Sequence, residues 1–300
     1  MPTNNDMDTS FAKTISQIMG TNLSLYSNAG HGLLENVNIE SYPFGKQHVT
    51  RPISSPMDDV FVSRRFSAPD QLMDKEVQEL DFVNISKRVV IDAVDYAADP
   101  AHVAKQVEDA LNIMKDGIEK YWIEGSSTRV TMYGVKDAIA TGLINRPDTI
   151  VQTTTGKWEI ITNLQFDVAD AVALLIGKRF YGPYALLAPS ALLPMLSQVQ
   201  TTTAVPVSTW VQNALGLPVI FSPWVDSDAV MDTAFDCYVI DLSKVHMGMS
   251  DLKIDAYYSN KDHCYIWDME VYMCALFDPL YDDTEYKKGV ATLLARDWTT

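Results

Sequence analysis

Residues 99–125 read DPAHVAKQVEDALNIMKDGIEKYWIEG, and this stretch has the clearest structural signal in the chain. Asp99 followed by Pro100 predicts a helix start. The aspartate can accept from a free backbone N–H at the N-cap, and proline fits the first helical position, where its missing N–H loses no bond. Val103, Val107, Ala110, Leu111, Met114 and Ile118 then recur at spacings of 4, 3, 1, 3 and 4, which places them on one face. Gly125 supplies the stop, because glycine readily takes the left-handed backbone that ends a helix. About 25 residues at 1.5 Å each give a rod of roughly 37 Å. That is long for an enzyme of 300 residues.

Working outward, residues 82–94 alternate loosely around Val89-Val90-Ile91 and predict a strand. Downstream, Leu164, Val168, Ala171, Val172 and Leu175 mark a helix ending near Gly177. Residues 184–187 predict a short strand closed by Pro189, with Ser190 capping a helix through Leu196. Ser208 is expected to cap a helix carrying Trp210, Val211 and Leu215, closed by Gly216. Residues 217–221 and 237–242 read as strands, and Leu252, Ile254, Ala256 and Tyr258 alternate over another. Tyr265, Trp267, Met269, Val271 and Met273 extend period-2 alternation over nine residues, with Asp268 and Glu270 on the opposite face. No internal repeat and no linker divides the chain, so the class is α+β.

Composition narrows the function. Hydrophobic residues are 47% and charged residues 21%, ordinary for a globular chain and outside the ranges of collagen, coiled-coil arrays and disorder. No apolar run reaches the roughly 18 residues of a membrane helix. Asp6 and Asp8 stand where a signal peptide would be basic. A soluble, intracellular chain is expected, without a membrane partner. The net charge of −16 leaves no basic run with which to grip nucleic acid. Residues 1–66 differ from the rest: six acids face five bases there, and Asn, Ser, Thr and Gly dominate residues 1–41. Phe11, Ile15 and Met19 mark one short amphipathic piece. Pro43, Gly45, Pro52 and Pro56 punctuate the stretch that follows. Such a segment has too little apolar surface to offset its ordering entropy alone. Docking on a neighbour would give it a use, and a disordered tail is the alternative.

Reactive chemistry is hard to find. There is no G-x-G-x-x-G, no G-x-x-x-x-G-K-[ST], no H-E-x-x-H and no G-x-S-x-G. The five histidines form no i, i+4 pair. Ser190 lies on a strand-to-helix turn but lacks the glycines of a nucleophile elbow, so capping is its expected role. Cys237, Cys264 and Cys274 are odd in number with no C-x-x-C pair, and are expected to be buried free thiols. Cys264 beside His263, and acids such as Asp226 with Asp228 or Asp282 with Asp283 and Glu285, are weak metal candidates read as core and loop residues. No catalytic residue, cofactor or metal is predicted.

The run Gly182-Pro183-Tyr184-Ala185-Leu186-Leu187-Ala188-Pro189, after a helix ending Leu175-Ile176-Gly177, resembles a segment of the encapsulin shell proteins, with its final proline one residue early. Leu215-Gly216-Leu217-Pro218-Val219-Ile220-Phe221-Ser222-Pro223 is similar to their next strand. Residues 107–125 look like their spine helix, and Gly142-Leu143-Ile144 like the turn after it. Encapsulins share the Hong Kong 97-type fold with the major capsid proteins of tailed viruses, and the resemblance covers about residues 60–280 in order. It implies an arm (1–40), an extended intersubunit loop (41–68), a peripheral spine-helix domain (69–135 and 251–280), an axial α/β domain (136–250) and a C-terminal segment (281–300).

The function so implied is a non-enzymatic major capsid protein. It would assemble with itself as pentamers and hexamers into an icosahedral shell around double-stranded DNA, without sequence-specific binding. The product would be a virion built in the host cytoplasm, with scaffold, portal and decoration proteins as further partners. An encapsulin-like compartment enclosing a cargo enzyme is the first alternative, and an α/β enzyme with an unrecognised site the second. Lys46, Arg51, Arg64 and Arg65 are expected to meet acids of the next subunit, since the body is acidic. Some capsid proteins of this type join a loop lysine to a neighbour's asparagine. Lys46 is the only lysine between residues 14 and 74, but nothing identifies a partner or a catalytic acid, so no cross-link is expected.

Overall fold

Asp99 opens the long helix as its chemistry dictates, its Oδ1 accepting from the His102 N–H at 3.1 Å. The computed structural model describes residues 32–52, 77–126, 132, 134–136, 148–149, 161–177, 179–199, 205–225, 234–278, 280–282, 285–287 and 290–296. In chain order the helices are α1 (Gly32–Asn36), α2 (Ala93–Ala98), α3 (Pro100–Glu124), α4 (Ile161–Gly177), α5 (Leu193–Leu196) and α6 (Val207–Leu215). The strands begin with β1 (Ile39–Tyr42), β2 (His48–Pro52), β3 (Val77–Asp81), β4 (Val83–Asp92), β5 (Asp148–Thr149), β6 (Tyr184–Pro189) and β7 (Val219–Ser222). They continue as β8 (Ala234–Asp241), β9 (Val245–Ser250), β10 (Lys253–Ser259), β11 (Cys264–Phe277), β12 (Leu280–Asp282), β13 (Glu285–Lys287) and β14 (Val290–Arg296).

Two sheets organise the chain. In the first, β11 runs the whole length, with β4 antiparallel along one edge and β10 then β9 along the other; β1 adds parallel to β9. The predicted alternation holds. Met269, Val271 and Met273 of β11 join Val83 and Ile85 of β4 and Met247 and Met249 of β9 against α3. There α3 buries Val107, Ala110, Leu111, Met114 and Ile118, the four larger side chains each gaining roughly 1.5–3 kcal/mol by leaving water. Asp268 lies on the other face, where Arg88 donates to it through Nε at 2.5 Å and Nη2 at 2.9 Å.

The second sheet has the order β5-β14-β8-β6-β7, with β6 and β7 parallel and β8 antiparallel to β6 and β14. β6 is buried throughout, which suits its unbroken apolar run. Ala185 and Leu187 face the main core with Tyr238 and Ile240. Tyr184, Leu186 and Ala188 face α4, α5 and α6, meeting Val168, Leu175, Leu196 and Val211. The sheets therefore share one core. β9 belongs to the first sheet and β14 to the second.

Some local expectations are corrected. A 3-10 turn over Ser190–Leu192 leads into α5 after Pro189, and α6 follows Pro206; neither start has a side-chain cap bond. Ser190 and Ser208 fall inside these turns. Proline's fixed φ with an extended ψ turns the chain into each helix, and the Pro206 carbonyl accepts from Trp210 N–H at 2.9 Å. The end of α3 is also more elaborate than one glycine. Gly125 is left-handed at φ 77°, but the chain then returns, and Val135 and Lys136 donate to the carbonyls of Trp122 and Ile123 at 3.0 and 2.8 Å. Orphan carbonyls of the last turn are thus satisfied from thirteen residues downstream. All three cysteines are buried free thiols, and burial pushes Cys274 up to about 12. The amphipathic piece at Phe11, Ile15 and Met19 lies outside the described residues.

Candidate functional site

Among the described residues no group of three or more His, Cys, Asp or Glu is placed to hold a metal ion, and no helix is long and apolar enough to cross a membrane. Asp226, Asp228 and Asp283 lie outside the described residues, as do Arg64 and Arg65. The polar chemistry is concentrated instead at three junctions.

The first is the base of a ribbon. β2 and β3 pair antiparallel from His48 opposite Asp81 to Pro52 opposite Val77. Arg51, only 14% exposed at its side chain, pairs there with Glu40 of β1 and with Asp278, whose Oδ1 accepts from Nη1 at 2.6 Å. Tyr42 donates to Glu40 at 3.0 Å. His246 approaches Asp278 at 3.4 Å and meets the Asn38 amide at 3.1 Å. Burial works against the Arg51 charge, but the hydrogen bond to Glu40 and the field of Asp278 outweigh it and raise its pKa. Burial likewise opposes the Asp278 charge, while His246 and Arg51 hold its carboxyl below its ordinary range. Arg51 thus has its partners within its own chain. Lys46 is exposed beside the 43–46 turn, where its N–H donates to the Pro43 carbonyl at 3.2 Å.

The second junction is the crossing from one sheet to the other at residues 242–244. Asp241 is fully buried and accepts from Gly182 N–H at 3.0 Å and from Ser243 N–H and hydroxyl at 2.8 and 2.6 Å. Leu242 N–H donates to the Pro183 carbonyl at 2.7 Å. One carboxylate therefore ties the 181–183 turn to the crossing.

The third lies on α3. Glu119 is buried and accepts backbone hydrogen bonds from Leu33 and Leu34 of α1. Trp224 donates Nε1 to Asp116 at 2.9 Å, and the Lys120 amine sits 4.7 Å from the Trp224 ring centre. Burial first, and then the neighbouring Asp116 charge, push the Glu119 carboxyl up to about 7.

A mixed helix-and-sheet core with a long helix across one sheet, a separate two-stranded ribbon of β2 and β3 and a second sheet beyond a pinned crossing has counterparts among solved structures. A virus-like particle from Pyrococcus furiosus matches with a TM-score of 0.61 at 10% identity, over 93% of this chain and 98% of that one. A chain of Microbacterium phage Oxtober96 matches at 0.62 and 14%, over 89% and 91%. The capsid of Myoviridae phage XM1 matches at 0.57 and 11%, over 90% and 93%. The chain has the Hong Kong 97-type fold. Within it, residues 128–240 match the family described as encapsulating protein for peroxidase. No curated protein matches the sequence.

Sequence reasoning missed Glu119, Asp241 and Asp278. Leu33, Leu34 and Val37, buried in the main core, carried a signal in their spacing of one helical turn, though turn-prone neighbours masked it. The partners of the three acids lie too far away in sequence to be seen.

Proposed function

We propose that this chain is a major capsid protein, forming pentamers and hexamers of an icosahedral shell around double-stranded DNA. The end-to-end fold match carries this reading: about nine-tenths of this chain aligns with about nine-tenths of each phage chain, a phage capsid among them. A subunit of such a shell needs no active site, and it needs segments that bury surface only on a neighbour. The extended loop rooted at Arg51 is of that kind. Lys46, Arg64 and Arg65 are proposed to reach acids of the next subunit, with Arg51 acting from the loop's base. Assembly in the host cytoplasm, and partnership with scaffold, portal and decoration proteins, belong to the same proposal. The acidic chain holds its DNA without gripping it, since packaged DNA is neutralised largely by counterions.

An encapsulin-like compartment around a cargo enzyme is the second reading, favoured by the 128–240 family match and the Pyrococcus particle. Electron microscopy of the purified chain, with absorbance at 260 and 280 nm on the same fraction, separates the cases. Closed shells with a nucleic-acid signal in native particles support the capsid. Closed shells without it support the compartment, and discrete small oligomers under all conditions, with scaffold supplied, overturn both.

A further inference from the structure

From Phe180 to Val225 the chain holds no Asp, Glu, Lys, Arg or His, although charged residues are 21% of the whole. Burial explains part of this, since β6 has no exposed position. It does not explain Ser197, Gln198, Gln212 and Asn213, which are exposed, where a charged side chain would keep its water. The same region exposes large apolar side chains. α4 turns Leu164, Val168, Ala171 and Leu175 to the core it shares with β6, α5 and α6. Its opposite face presents Phe166, 61% exposed, with Ala173 and Ile176, and Asp170 is the one charge there. A helix that is apolar all round is normally a covered one. Tyr181, 73% exposed, stands in the turn after α4. Leu193 of α5 is exposed too, as is Val199, bridged to Pro206 between α5 and α6.

Exposed apolar side chains elsewhere stand among charges. Val90 lies two residues from Arg88, Val94 sits between Asp92 and Asp95, and Tyr257 donates to Asp268 at 3.3 Å. The α4–α6 layer combines exposed aromatic and aliphatic groups with an almost complete lack of charge, which is the composition of an interface core. We propose that the outer side of the α4–α6 layer is an uncharged contact surface on which a second copy of this chain docks. The occupant follows from charge. Nucleic acid would need a set of cations, and between Ala171 and Val225 there are only Lys178 and Arg179. A charged peptide would find little to pair with. Two copies of this chain, each at −16, repel wherever their acids come close, and a surface without acids lets them approach. The identity of the occupant rests on the shell-forming reading, and the surface itself on exposure and charge.

The test is sedimentation velocity of the full-length chain over a concentration series, with negative-stain microscopy of the same samples. Ile176→Glu with Leu193→Glu places acids at two exposed positions of the layer and leaves its core alone. The concentration for half-association should rise on the order of 30-fold, with the melting temperature of the unassociated subunit unchanged. Val90→Glu with Val94→Glu adds the same charge outside the layer and should stay within about 3-fold of wild type. Should the first pair not fold, Phe166→Ser with Ile176→Ser decides, with a rise on the order of 10-fold expected. Equal effects of the two Glu pairs, or wild-type association in the layer variants, overturn the surface while wild-type shells keep the shell reading. Small wild-type oligomers that the layer variants lose keep the surface and overturn the shell reading. A wild-type chain that stays monomeric with scaffold supplied overturns both.

Discussion

Asp278 and Arg51 stand 227 positions apart in sequence and 2.6 Å apart in space, so each has value only because the other is there. His246 and Arg51 hold the folded Asp278 carboxyl below its ordinary range, so its contribution is present at neutral pH and lost as pH falls through the lowered value. Asp278→Asn is expected to cost about 2 kcal/mol at pH 7, with the gap to wild type narrowing in thermal melts below about pH 4. Gly134 is a steric matter. A Cβ there would lie 2.5 Å from the Ile123 carbonyl oxygen and closer still to Gly125 N, and backbone cannot retreat as a side-chain tip can. Gly134→Ala should lose on the order of 4 kcal/mol, read from denaturant midpoints.

The long helix α3 combines a local start, a face chosen by periodicity and an end made by distant chain. Its start is separable: Asp99→Ala removes the acceptor for His102 N–H and should cost about 1 kcal/mol, with little change in the near-ultraviolet spectrum. Its end is tied to the sheet through Trp122, fully buried, whose Nε1 donates to the His246 carbonyl at 3.1 Å. Trp122→Phe leaves that carbonyl without its donor and opens a gap between α3 and β9. Urea unfolding should show a loss of about 2–4 kcal/mol. Equal losses for the two variants would mean that the helix ends contribute alike, against the burial pattern.

Across the whole molecule, the two sheets meet through one core and through the crossing that Asp241 pins. Asp241→Ala leaves the Gly182 and Ser243 N–H groups without their acceptor, and should lower stability by about 2–3 kcal/mol while leaving each sheet's secondary structure intact. Charge belongs to the same scale. If the extended loop docks on an acidic neighbour, Arg64→Glu with Arg65→Glu reduces the yield of particles seen by negative stain without lowering the melting temperature of the unassembled subunit. An unchanged yield removes those two residues from the contact.

Much of the fold was legible in local order. The Asp99-Pro100 start, the apolar face from Val107 to Ile118 and the period-2 stretch through Met273 are short-range patterns, and short-range patterns dictate helices and strands. The joint order of the Gly182-Pro183-Tyr184 and Ser222-Pro223 segments pointed to the fold. The sites were not legible in this way. Pro206 displaced the expected serine cap because backbone geometry sufficed, and Leu33 and Leu34 became core only because β7 and α3 were there to cover them. Glu119 reads as an ordinary surface acid on a long helix until α1 folds over it and takes away its water. The sequence by itself determined which elements form, through periodicity and caps. Only the tertiary structure decided which charges are buried and what they hold, because desolvation and pairing depend on partners the chain brings together from hundreds of residues away.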